Sequence, residues 1–126
     1  MYIAKQPSFP PEIIIPEGEI LQEIFGVNAG EIENHSLAKV TLPPGKKSVP
    51  HYHKISTESY MILSGTATLD IEQAQATLTA GEAVLIVPFE VHQIMNQTNT
   101  DVVFLAVCVP AWEPCDSYEI SGAEEQ

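Results

Sequence analysis

Arginine is absent from this chain. The Lys+Arg total is 5, all of it lysine, against 17 Asp and Glu, giving a formal net charge of −12. A nucleic-acid partner needs a basic face to meet phosphates, so nucleic-acid binding is not expected. An anionic membrane surface is an equally poor match. The missing guanidinium also removes the usual bidentate clamp for phosphate or carboxylate groups. The acidic balance itself reads as solubility. Cysteine is scarce too, with only Cys108 and Cys115. Two cysteines make no disulfide framework. The stretch between them could bend to close a bridge, but two free thiols are the expected state in a reducing compartment. Neither belongs to a Cys-x-x-Cys pair, so a thiolate zinc site is not expected. Apolar runs long enough to span a membrane are missing. The first residues lack the charged head and apolar stretch of a secretory signal. The expected address is the cytoplasm.

What is present is strand chemistry. Ala38, Val40 and Leu42 alternate with Lys39 and Thr41. Ala67, Leu69 and Ile71 alternate with polar neighbours, as do Ala74, Ala76 and Leu78. Such period-two patterns bury one face of a strand. Met61 to Leu63, Ala83 to Val87 and Val102 to Val109 are continuous apolar runs, which read as strands buried on both faces. Asn28-Ala29-Gly30, Pro43-Pro44-Gly45, Ser64-Gly65 and Ala80-Gly81 supply the turns. Only Glu72-Gln73 separates two alternating segments, which predicts a tight hairpin. Many short strands with closely spaced turns predict an all-β sandwich or barrel in a single domain. Gly18 to Phe25 fits either a strand or a single helical turn. The division expected is an N-terminal arm over 1–18, a barrel over 19–116 and a flexible tail over 117–126, with Ser121 to Gln126 disordered.

The chain has 4 histidines. His51 and His53 are two apart, so a strand points both imidazoles to one face with backbones roughly 7 Å apart. Glu58 sits at an odd offset from His53, and a turn over Lys54-Ile55-Ser56-Thr57 is needed to bring it to the same side. His92 follows a turn-like break, Val87-Pro88-Phe89-Glu90-Val91. Taken singly, each of these residues is more commonly a solvated or hydrogen-bonded side chain than a ligand.

The surrounding glycines change that judgement. Gly45-x5-His51-x-His53-x4-Glu58-x6-Gly65 resembles the first motif of the cupin family at every fixed residue. A second motif begins at Gly81, with His92 and Asn96 at the family's spacing. Val87 stands where the family usually has proline, and Phe89 where it usually has glycine. The resemblance implies a jelly-roll (double-stranded β-helix) barrel of six or more strands, usually a homodimer. It implies one divalent transition metal per chain (Fe, Mn, Ni, Co or Zn), held by His51, His53, Glu58 and His92. It gives Asn96 a structural or supporting role. Three imidazoles and one carboxylate suit any of those metals, and open coordination positions would allow chemistry.

Tyr60 and Ile62 share the face of Glu58 on a regular strand, which makes Tyr60 a candidate acid or substrate contact. A packed aromatic with a satisfied hydroxyl is the simpler expectation. Phe104, Ala106 and Cys108 share one face of the last long strand, and its inward side is not evident. A buried thiol with no role is the expected state of Cys108. Trp112, between prolines, fits a cover for the barrel mouth, a dimer contact or a core cap. His35 reads as a surface residue. The functional expectation is a metal-dependent enzyme of dioxygenase, decarboxylase or isomerase type acting on a small molecule in the barrel. The alternative is a barrel that binds a small ligand or metal without turnover. A sugar-phosphate isomerase-like role is weaker, because arginine is missing.

Overall fold

Burial alternates along single strands, and that alternation organises the chain. The computed structural model describes Met1 and residues 3–120. In chain order the strands are β1 (Ile13–Ile14), β2 (Ile20–Phe25), β3 (Ser36–Leu42), β4 (His51–Tyr52), β5 (Thr57–Ser64) and β6 (Thr66–Ile71), followed by β7 (Ala74–Thr79), β8 (Ala83–Ile86), β9 (His92–Met95), β10 (Val102–Val109) and β11 (Tyr118–Glu119). The only helical pieces among the described residues are short 3-10 turns at Gln6–Ser8 and Pro114–Asp116. One sheet has the order β1-β2-β3-β10-β5-β8 and the other β11-β4-β9-β6-β7. All the pairings are antiparallel. Two antiparallel sheets packed face to face make a jelly roll.

Glu58, Tyr60 and Ile62 of β5 are buried, while Met61 and Leu63 are exposed, as are Leu85 of β8 and Val109 of β10, so the continuous apolar runs are buried on one face and not on both as expected. On β10 the inward residues are Val102, Phe104 and Cys108. The register sets Phe104 beside Ile62, Ala106 beside Tyr60 and Cys108 beside Glu58. Val40 and Leu42 of β3, Leu69 of β6 and Ile94 of β9 close the apolar core around them. The interior therefore runs from apolar to polar along each strand. Ile62 leads to Glu58, Phe104 to Cys108, and Ile94 to His92.

The Gly18–Phe25 ambiguity resolves as strand β2, paired with β3. Two neighbouring strands on the edge of a sheet reward extended backbone more than one short helical turn would. The Glu72-Gln73 hairpin is present, and both residues adopt positive φ, 50° and 67°, the geometry of a type I′ turn. Gly65 is required by space: at φ +83°, an added Cβ would lie 2.4 Å from the Asp101 carbonyl oxygen. The C-terminal expectation needs correction for its first residues. Tyr118–Glu119 are not a free tail but pair with β4, opposite Tyr52 and His51. Tyr118 stacks on Tyr52 with centroids 5.3 Å apart, which gives the segment an apolar reason to stay. Ser121 to Gln126 lie outside the described residues.

Candidate metal centre

His51, at the start of β4, pairs directly with His92, at the start of β9. His53 follows β4 by one residue on the same side, while Tyr52 between them points away and stacks on Phe89 and Tyr118. Glu58 enters from the facing sheet on β5. The turn expected between His53 and Glu58 is present, and its tie is Asp116. Its carboxylate accepts the backbone N–H groups of Lys54 at 2.9 Å, Ile55 at 3.1 Å and Ser56 at 3.0 Å. Those bonds hold the Asp116 carboxyl below its ordinary range, against the upward push of burial.

Four candidate ligand atoms, one each from His51, His53, Glu58 and His92, lie within 4.8 Å of one another. His53, Glu58 and His92 are 3%, 5% and 1% exposed. The ring orientations share one logic. Nδ1 of His51 bonds the Val49 carbonyl at 2.7 Å, that of His53 the Asp116 carbonyl at 2.8 Å, and that of His92 the Glu90 carbonyl at 2.9 Å. A carbonyl oxygen only accepts, so each Nδ1 carries the hydrogen and each neutral ring keeps its lone pair on Nε2. Metal-binding histidines are commonly anchored this way.

Those inward Nε2 atoms need a proton or a metal cation wherever they face the carboxylate. Nε2 of His92 and of His53 stand 3.1 and 3.5 Å from Oε1 of Glu58. A lone pair facing a carboxylate oxygen is repulsive unless a proton or a metal cation lies between them. His53 Nε2 is buried with no hydrogen-bond partner, a state that costs free energy. Burial pushes the Glu58 carboxyl up, but His53 and His92 hold it well below the usual carboxylate range. Burial, then His92, pulls His51 down to about 4. Burial pulls the His53 imidazole down, but Glu58 more than offsets it and draws it up overall, so a proton can fill the place between them that a metal would take. The ionised Glu58 and the neutral His51 are in the states that metal ligation requires.

The other oxygen of Glu58 is occupied differently. The Cys108 thiol donates to Oε2 at 3.1 Å. Burial and then Glu58 push that thiol far above its ordinary range, so it remains a donor. Cys108 is thus not an idle buried thiol. The register of β10 against β5 sets it beside the carboxylate, and no sequence pattern states that register. Asp116 was also not evident, because it lies in an irregular proline-rich segment far from the ligands in sequence. Tyr60 is buried against Phe104, centroids 4.8 Å apart, with His92 at 6.3 Å. Burial, then the Glu58 charge, pushes its hydroxyl up, so it stays protonated and can donate a hydrogen bond, but it is a weaker acid than an ordinary tyrosine.

The departures at Val87 and Phe89 leave the approach of His92 intact. Phe89 takes φ 73°, a left-handed conformation that is costly for an aromatic residue. Several bonds hold it there. Its N–H donates to the His53 carbonyl at 2.7 Å. Glu90 Oε1 accepts from the Val87 N–H at 2.9 Å, and Glu72 Oε1 from the Val91 N–H at 2.7 Å. Asn96 lies outside the ligand set. Its Nδ2 donates to the carbonyls of Leu42 and Thr100, and its Oδ1 accepts from Thr98, which closes the following turn. His35 is half-buried and remote from the cluster; its Nδ1 contacts Asn34. Cys115 is exposed and both thiols are free. No helix among the described residues is long and apolar enough to cross a membrane.

A two-sheet jelly roll with a His/Glu cluster inside it defines the class of protein. The family model for the cupin domain matches residues 38–108, more than half of the chain, and the chain belongs to the cupin family. It is 28% identical over 104 residues to an uncharacterized protein of Methanocaldococcus jannaschii, covering 82% of this chain and 83% of that one. It is 35% identical over 72 residues to an oxalate-binding protein of Thermotoga maritima, covering 57% of this chain and 60% of that protein. Among solved structures, a predicted oxalate decarboxylase from Thermotoga maritima superposes with TM-score 0.74 at 24% identity, over 86% of this chain and 99% of that one. The polyketide cyclase RemF from Streptomyces resistomycificus superposes with TM-score 0.78 at 17% identity, over 98% and 89%. Likenesses at these identities speak for the fold.

Proposed function

We propose that the chain is a metal-dependent cupin in which His51, His53, Glu58 and His92 hold one divalent transition metal, drawn from Fe, Mn, Ni, Co and Zn. The observation that carries this reading is the inward Nε2 of His53, buried and unpartnered, in a cluster whose three Nδ1 atoms are already anchored. A cation at the centre satisfies that atom and balances the Glu58 charge. Three imidazoles and a carboxylate fit the borderline metals better than Mg or Ca.

The same reading makes the protein an enzyme of dioxygenase, decarboxylase or isomerase type acting on a small organic molecule. The metal would supply a Lewis acid for substrate oxygens. The chain's own part is to hold the ligands, keep Tyr60 protonated beside the cavity and exclude water with apolar walls. A second reading, binding without turnover, has its own support in the 35% identity to an oxalate-binding protein. Nitric oxide tests the open coordination positions that the enzyme reading requires. The anaerobic Fe(II)-loaded protein should form a nitrosyl adduct by electron paramagnetic resonance, and a bidentate oxygen chelator should perturb it. An adduct-free spectrum that no chelator alters would mean a closed metal, and the enzyme reading would be dropped.

The protein is further proposed to act as a homodimer in the cytoplasm. Met61, Leu63 and Leu85 form an exposed apolar outer face on β5 and β8, and such faces are commonly covered by another surface. Light scattering should give twice the chain mass at micromolar concentration, and a monomer would refute the dimer.

A further inference from the structure

A cavity of about 400 Å³ opens beside the metal cluster. His51, Glu58, Tyr60 and Cys108 form its floor. Its walls are apolar: Leu21, Ala38, Val40, Phe104 and Ala106 come from the strands. The segment before β1 supplies Pro10 and Pro11, with Ile13 and Ile15 beyond them. That segment is tied down where the Gln22 amide donates to the Pro10 carbonyl at 3.0 Å. Trp112, the single tryptophan, also lines the cavity.

The charged side chains are as informative as the apolar ones. Besides Glu58, the cavity is lined by Glu19, Glu23 and Glu119, and no lysine is among its described lining residues. Glu23 is committed locally, accepting the Asn28 N–H at 3.0 Å. Glu19 is half-buried, and burial pushes its carboxyl up. A small dianion such as oxalate, or a phosphate ester, would find one metal ion here. Around that ion it would find acidic side chains, apolar wall and the neutral polar groups of Asn28, Ser36, Tyr60 and Ser117, in place of the cationic hydrogen-bond donors that hold such anions tightly.

We infer that this cavity selects an uncharged, chiefly apolar organic molecule that presents an oxygen pair to the metal, and that it discriminates against small dianions and phosphate esters. The oxygen end of this inference rests on the metal reading above. The apolar end rests on the cavity alone. Cavities of this size take small organic ligands that bury most of their surface. Ala38 and Ala106 leave the space that a ring would fill, and each buried methylene-sized group of ligand adds several-fold in affinity.

The test compares three probes on Zn(II)-loaded protein by calorimetry and Trp112 fluorescence. Benzoylacetone and acetylacetone are uncharged in solution, share a diketone head that chelates zinc as a monoanion after giving its enol proton to the buffer, and differ by a phenyl ring, whereas oxalate is a bare dianionic chelator. Benzoylacetone should bind about tenfold or more tightly than acetylacetone, with oxalate weakest. Ala106→Leu should cost about tenfold in benzoylacetone affinity while zinc content stays the same. Equal affinities for the two diketones, or oxalate binding as tightly as benzoylacetone, would overturn the inference. Zinc content, measured separately, reports on the metal reading. If no zinc is held, the metal-free protein decides the cavity's selectivity alone. Saturable quenching of Trp112 by benzoylacetone and not by oxalate upholds it, and no quenching by benzoylacetone defeats it.

Discussion

The two ends of the barrel interior are built from the same strands on opposite physical terms. At one end Leu42, Ile62, Leu69, Ile94 and Val102 are essentially sealed from water and need nothing from each other but contact. At the other, His53, Glu58, His92 and Cys108 are buried to a similar degree, yet each depends on a particular partner atom. The apolar end is satisfied as it stands. The polar end leaves His53 Nε2 without a partner. Stability should therefore reside at the first end and metal affinity at the second. Chelating the metal should lower the melting temperature while leaving a β circular-dichroism spectrum, unlike a zinc finger that folds only around its ion.

Substitutions can break this division from either side. The largest effect on stability is expected from Leu69→Ala, which empties a fully buried site. It should cost about 2–5 kcal/mol in denaturant unfolding, while the metal content of the folded fraction is unchanged. Glu58→Gln comes next. It keeps the shape but removes the charge that opposes the metal, and titration should show affinity falling about 100-fold or more. Asp116→Ala tests the link between the ends. Three backbone N–H groups lose their acceptor, so about 1–3 kcal/mol of stability should go. The His53 loop loosens with it, and Asp116→Asn should recover part of both losses. The smallest effect belongs to Cys108. Cys108→Ala removes the donor to Glu58 Oε2 and should weaken metal binding about tenfold, whereas Cys108→Ser, which keeps a donor, should stay near wild type.

The two ends also differ in how much of them could be read from the sequence. Alternation in 38–42 and 67–71, with glycines at 45, 65 and 81, was enough for strands, turns and a barrel. Period and turn chemistry are local, and these segments obey both. The four candidate ligands were legible because their spacing matches a family motif. Their supports were not. Asp116 meets the 54–56 turn from sixty or so positions away, and Cys108 meets Glu58 through strand register. Neither leaves a trace in local pattern. Tyr118–Glu119 looked like tail because two residues carry no period, and only the neighbouring β4 makes them a strand. Phe89 occupies a glycine position through bonds from His53, Glu90 and Glu72 around it, which single-residue propensity does not reveal.

Metal content per folded chain tests the central claim most directly. Wild-type protein and a His51→Ala/His53→Ala variant would be dialysed against metal-free buffer, checked by circular dichroism and submitted to elemental analysis. The account predicts about one divalent transition metal per wild-type chain, and essentially none in a variant that keeps its β spectrum. A folded variant that holds as much metal as wild type would contradict it.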